Sequence, residues 1–260
     1  MNFLSIPIVR GDRWERIWML ARIEFKLRYY ENKLGLLWAL IKPVSQIAMY
    51  YIVFQVLLNQ RVPNYAIYLW AGLFLWLFFT ECTTGMIKVL QAKKYLYTHT
   101  NMDKIEIYLS YMLSATISLL INFGIFIIGS MIAGIMPTYH YIYFVLIFLN
   151  LFLLSLGATL ILSNLFLLFK DISQVWGIIT SFGFFLSPIL YRGEIFEEKM
   201  PWLNYLNPIS GIIINARNVL LYARPPDWQM LFFDLAYASV VVLVGFLFLQ
   251  RLGPRASELL

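Results

Sequence analysis

The chain has 260 residues, of which 61% are hydrophobic and 13% charged, with a net charge of +6. Soluble domains carry about 25% charged residues, so a water-soluble globular class is excluded and a membrane-embedded chain is indicated. The single cysteine, Cys82, rules out an intrachain disulfide and a multi-cysteine metal site; in a chain this apolar the positive charge points to basic loops on one face of a membrane, with no nucleic acid partner.

Charges interrupt the first 30 residues and leave no apolar core for a cleavable signal peptide, so the N-terminus is expected to stay cytoplasmic. Asp12 followed by Glu15 has the form of a capping box. Trp14, Ile17, Trp18, Ala21 and Phe25 then recur at helical spacing, while Arg13, Arg16, Arg22, Glu24 and Lys26 fall mostly elsewhere. Residues 12–30 read as an amphipathic helix lying in the membrane interface. A plain helix packed on its own protein is the alternative.

Hydropathy next places six spans, at about 35–58, 65–87, 105–136, 141–169, 172–191 and 231–249. The fold expected is all-α and polytopic, a single transmembrane domain over 1–260. With both termini inside, 15 of the 20 basic residues fall on the cytoplasmic face, as the positive-inside rule requires.

The fifth span opens on Lys170-Asp171 and runs through 172–191 without a charge, with a break at Ser187-Pro188 before Tyr191. Proline removes a backbone donor and bends or stops a helix. Inside a membrane such a break is tolerated only where protein or a water-filled cavity receives the freed groups. This pattern points to a transport pathway.

Two connections are informative. Residues 91–104 alternate basic, aromatic and capping residues as a docking surface does, although a solvated loop is the simpler reading. Residues 192–230 are punctuated by Pro201-Trp202, Asn207-Pro208 and Pro225-Pro226. Between the last two lies an apolar stretch, 209–222, that contains Arg217 and is too short to span. It reads as a re-entrant helical hairpin before the last span.

Glu81 is the one acidic residue placed well inside a span, either marking a pathway or paired with Lys42 or Lys88. Asn122, Asn150 and Asn164 line a cavity or bond between helices. His99 and His140 have no ligand-like companions, and no metal site is expected. No nucleophile elbow, zinc-protease motif or phosphate-binding loop is present, so energy for active transport has to come from a partner or a gradient.

These residues carry a family resemblance. Lys170-Asp171-Ile172 leading to Phe184-Phe185-Leu186-Ser187-Pro188-Ile189-Leu190-Tyr191, then Met200-Pro201, Asn207-Pro208 and Arg217, resembles the permease subunit of bacterial type-2 ABC exporters for polysaccharides: O-antigen, teichoic acid and capsule. Arg28-Tyr29, Leu34-Gly35-Leu36-Leu37-Trp38 and Lys42-Pro43 resemble the start of that family's first span. The charged pair leading to Ser-Pro is nearer to O-antigen and teichoic-acid exporters than to capsule ones. One departure is Thr98-His99-Thr100-Asn101-Met102, where family members often carry a phenylalanine-proline step.

The resemblance implies a homodimer in the bacterial inner membrane, joined to two copies of an ATP-binding cassette subunit that holds ATP and magnesium. No cofactor is expected on this chain, and no enzymatic activity. It implies ATPase coupling through 91–104, with Lys93, Lys94, Tyr95, His99, Asn101 and Asp103. It implies a channel lined by Trp38, Tyr51, Phe54, Phe184 and Phe185 for a lipid-linked polysaccharide, unless those rings face lipid. Arg28 and Lys33 meet the substrate's pyrophosphate or only obey the positive-inside rule. Ser187, Pro188, Tyr191, Asn207, Pro208 and Arg217 form a gate within 192–230 and the break before it.

Overall fold

The structure is a computed structural model that describes residues 13–30, 33–58, 62–100, 102–191 and 202–254. It is all-helical among the described residues. Helix α1 covers Arg13–Tyr29. A first span follows as a 3-10 turn at Gly35–Leu37, helix α2 at Trp38–Tyr50 and a π-helical segment at Tyr51–Leu57. Then come α3, Tyr65–Met86, and two short helices, α4 (Val89–Ala92) and α5 (Lys94–His99). Helix α6 is Lys104–Ile132, α7 is Phe144–Leu168 and α8 is Ile172–Leu186. The chain closes with α9 (Leu203–Leu206), α10 (Pro208–Leu220) and α11 (Trp228–Leu252).

Five helical stretches among the described residues are long and apolar enough to cross a membrane, against six expected from hydropathy. They are Gly35–Leu57, Tyr65–Met86, Lys104–Ile132, Tyr139–Leu168 and Trp228–Leu252. The difference is α8. Its 15 residues reach about 22 Å at 1.5 Å per residue, short of a hydrocarbon core of about 30 Å. The apolar run continues to Tyr191, but the helix stops at Leu186 because Ser187 adopts extended dihedrals and Pro188 has no amide to donate.

Helix α3 is the axis of the bundle, buried along most of its length by α6, α7 and α10. Helices α7 and α11 pack most closely of all. A Cβ added to Gly157 would lie 2.5 Å from the Val242 nitrogen, and one on Gly245 would lie 2.8 Å from the Gly157 oxygen. Only glycine permits that approach of two backbones. Asn150 of α7 adds a 3.0 Å hydrogen bond to the Leu231 carbonyl.

The first span and α8 are packed far more loosely. Along α8 only Phe184 is buried, while Ile178, Phe182 and Phe185 are exposed. No residue of the π-helical segment is buried, and Tyr51, Ile52 and Val56 are exposed.

Helix α1 runs beside α6 and parallel to it. Arg16 bonds Glu106 and Arg28 bonds Ser118, both at an offset of 90 residues, and that fixed offset holds for three turns. Ile17, Leu20 and Ala21 are buried in this contact, whereas Trp14 and Trp18 face outward. The apolar side read from the sequence is therefore divided: its aliphatic part packs on the protein and its tryptophans do not. The expectation of a helix lying flat in an interface has to accommodate this run along the third span.

Candidate functional site

The broken end of α8 is where the residues singled out as a gate come together. Asn207 sits just before α10, and its Oδ1 accepts from the Ile209 amide at 3.1 Å as an N-cap. Its Nδ2 donates to Ser187 Oγ at 2.8 Å and to the Leu186 carbonyl at 3.3 Å. Ser187 Oγ in turn donates to the Gly183 carbonyl at 2.7 Å. Pro188 and Pro208 supply geometry: one ends α8, the other occupies the first turn of α10, where an amide would be unsatisfied anyway.

Arg217 closes this latch from α10. Its guanidinium is only 3% exposed and donates to the Pro188 carbonyl, the Ile189 carbonyl (2.8 Å), the Tyr68 carbonyl (3.2 Å) and the Tyr68 hydroxyl (2.7 Å). The charge also lies 3.5 Å from the Tyr68 ring centroid. Tyr68 hands the contact on, donating to the Tyr191 carbonyl at 2.8 Å, and Tyr65 donates to the Leu190 carbonyl at 2.6 Å. Backbone groups freed by the Ser187-Pro188 break are thus received by side chains from α3 and α10. That is the protein-side solution a membrane demands.

A second cluster ties α1 to α5 and α6. Glu106 is 2% exposed and accepts through both carboxylate oxygens from Arg16 Nε and Nη2, at 2.9 and 2.7 Å. Arg13 pairs with Asp103 at 3.0 Å, and Lys93 pairs with Glu24. Within the stretch 91–104, the described residues include the end of α4 and the whole of α5. Tyr95 is exposed and its ring lies tilted against His99 with centroids 4.9 Å apart, while Lys94 is half-buried. Tyr97 donates to the Leu90 carbonyl at 2.8 Å, and burial pushes its phenol pKa up. Asn101 lies outside the described residues.

The aromatic candidates separate by burial. Phe184 is buried and packs on Tyr50 and Trp76, with ring centroids 5.4 and 5.9 Å away. Tyr51 and Phe185 are exposed, while Trp38 and Phe54 are half-buried, Trp38 in the wall of a cavity. Lys33 is exposed. Glu81 pairs directly with Arg28, and Lys42, one of the two lysines considered from sequence, acts on the same carboxylate from farther away. Asn164 bonds within α7, and no group of metal-ligating side chains occurs among the described residues.

Sequence reasoning missed Tyr65, Tyr68, Arg16, Glu24 and Glu106. It also passed over Asp234, which is 3% exposed on α11 and whose Oδ2 lies 2.2 Å from where a Gly211 Cβ would sit. Glycine at 211 is what makes room for that carboxylate.

Long apolar helices around a buried axis, with a broken helix whose carbonyls are capped by side chains, define a polytopic helical membrane protein of the transport class. Residues 15–221 match the ABC-2 type transporter family, and the chain belongs to that family. It is 23% identical over 253 residues to an O-antigen export system permease protein RfbA of Klebsiella pneumoniae, covering 96% of each chain. A further Klebsiella pneumoniae protein of that name is 23% identical over 251 residues, and one from Myxococcus xanthus is 24% identical over 226 residues, 86% of each chain. The chain is a membrane permease component, the part of such a transporter that works with an ATP-binding subunit.

Proposed function

We propose that this chain is the permease of an ATP-driven exporter that moves a lipid-linked polysaccharide, of the O-antigen class, out across the bacterial inner membrane. Two copies form a channel between them, and two ATP-binding cassette subunits drive it from the cytoplasm, where both termini lie. The observation that carries the reading is the end-to-end similarity to permeases named for O-antigen export. Teichoic-acid, capsule or small-lipid export by the same architecture is the alternative.

Within this reading α8 and the turn that follows it to Tyr191 together make a short fifth span, and α10 is a re-entrant helix. The loosely packed faces of α8 and the π-helical segment, with Tyr51 and Phe185, turn toward the second copy and the glycan. Aromatic faces suit this task because they stack on the apolar C–H faces of sugar rings without strong trapping. The latch of Ser187, Asn207, Tyr68 and Arg217 holds the outer gate. Helix α1 and residues 91–104 receive the motion of the ATPase, through Tyr95, His99 and the outward tryptophans. Lys33, which is exposed, stands on the loading side.

The test is co-purification with an ATP-binding cassette subunit from the same cells, followed by ATP turnover with lipid-linked glycan added. Stimulated turnover is expected. Failure to bind any such subunit would sink the reading.

A further inference from the structure

A cavity of about 990 Å³ lies within a single copy of the chain, walled by the end of α1 and by α2, α3 and α6. Small-molecule sites typically occupy about 300–1,000 Å³. Its polar wall carries Arg28, Lys42, Gln46, Glu81, Ser118 and Asn122. Arg28 is paired directly with Glu81, and Lys42 lies beyond direct contact but close enough to act on the same carboxylate, so two cations share one anion. The wall therefore holds one positive charge in excess. Gln46 Oε1 and Asn122 Oδ1 are buried acceptors with no donor among the described residues. An unmet acceptor in an apolar setting costs roughly 1–3 kcal/mol, so a fitting occupant brings an anion and hydrogen-bond donors together.

Trp38, Ile41, Leu77 and Leu119 add an apolar part to the wall, beside the hydroxyls of Ser45, Thr80, Thr84 and Tyr111. One turn further along α6, a groove of about 270 Å³ runs between Leu34, Leu36, Leu37 and Leu40 on one side and Ile121 and Ile125 on the other. Polar cavity and apolar groove share the seam between the first span and α6, the layout an amphiphile requires. The cavity wall also includes Phe74 and Phe78, which are buried and pack at tilted or edge-on angles against Phe123, Phe126, Phe144 and Phe148.

We propose that this cavity binds the headgroup of a bilayer glycerophospholipid. Its phosphate lies against Lys42 and Arg28, its hydroxyl or ammonium donors meet Gln46 and Asn122, and an acyl chain fills the groove. The lipid wedges the first span onto the bundle, where α2 itself buries only Ala39, Pro43 and Ile47. The site is separate from the channel proposed between two copies.

Native mass spectrometry of the full chain, after exposure to vesicles of equal phosphatidylglycerol and phosphatidylcholine, tests this. The first headgroup has hydroxyl donors and net negative charge; the second has neither. One retained phosphatidylglycerol per chain is expected, in preference to phosphatidylcholine. Lys42→Glu lowers retention about fivefold or more, the worth of one lysine near lipid phosphate, and Lys170→Glu, at a lysine that lies over the Phe166 ring and outside the cavity wall, leaves it unchanged. Asn122→Leu, an apolar change tolerated in a membrane helix, serves as a second variant and also weakens retention. Equal retention of both lipids, retention of neither, or no response to Lys42→Glu and Asn122→Leu overturns the proposal. So does displacement of the retained lipid by equimolar polyprenyl phosphate, which would assign the cavity to a transported lipid.

Discussion

Arg217 donates to the Ile189 carbonyl across 28 residues of sequence, joining α10 to the turn after α8, and no carboxylate neutralises it among the described residues. The charge is spread instead over carbonyl dipoles and the face of Tyr68. A planar fork with several fixed donors can do this; a compact ammonium cannot.

We therefore expect Arg217→Met to leave at least two carbonyls unpaired and to destabilise the folded chain by about 3 kcal/mol, since hydrogen bonds to charged groups contribute roughly 1.5–3 kcal/mol each. Arg217→Lys recovers less than half of the loss. Thermal melts of the purified chain compare the two. A lysine variant as stable as the parent would show that charge alone suffices.

Asn207 performs two separable tasks. Asn207→Asp keeps the oxygen that caps α10 but removes the amide that donates to Ser187. Asn207→Ala removes both. The cap is worth about 1 kcal/mol, so alanine is expected to lower stability clearly and aspartate much less. In lipid bilayers both are expected to raise resting ion leak, because both cut the tie to Ser187. Tight bilayers with the aspartate variant would remove Asn207 from the latch.

The tether predicts a charge-swap result. Lys93→Glu alone sets two carboxylates against each other, and restoring opposition with Glu24→Lys should recover export when the ATPase is present. ATP turnover continues throughout. Export that stays normal in the single variant, measured as glycan reaching the outer face, would mean the pair is structural only.

Two neighbouring rings are expected to behave differently. Phe184→Ala removes a buried ring and should cost about 3–4 kcal/mol of stability. Phe185→Ala removes an exposed one and should leave the melt within about 0.5 kcal/mol while slowing glycan passage. Equal loss of stability in both would contradict the packing of α8.

Span positions were legible because a long apolar run declares itself by hydropathy alone. The first four boundaries and the start of α10 at the Asn-Pro step emerged within a few residues. The end of α8 did not, because the apolar run continues through Ile189 and Leu190 after the hydrogen-bond ladder has stopped at Leu186. The gate residues could be named from proline, asparagine and arginine in an apolar setting. Tyr65 and Tyr68 could not, since a tyrosine in a membrane run looks the same whether its hydroxyl reaches lipid headgroups or a carbonyl 123 to 125 residues away. Arg16, Glu24 and Glu106 were hidden for the converse reason. Charges on a short helix read as water-facing, and nothing in local spacing reveals a partner 90 positions on. Asp234 escaped notice at the edge of the last apolar run, although its burial depends on a glycine in a different helix.

The contact between Gly157 and the backbone of α11 bears on how such a machine can move. Two helices meshed at the level of main-chain atoms, with no side chains between them, have no compliant layer in which to slide or roll. In the proposed exporter they would serve as a stator. Whatever stroke an ATPase delivers is then confined to the parts left free of this weld, the first span and α8. Replacing Gly157 by alanine would force the stator apart by the width of a methyl group and so shift the frame against which every other displacement is measured.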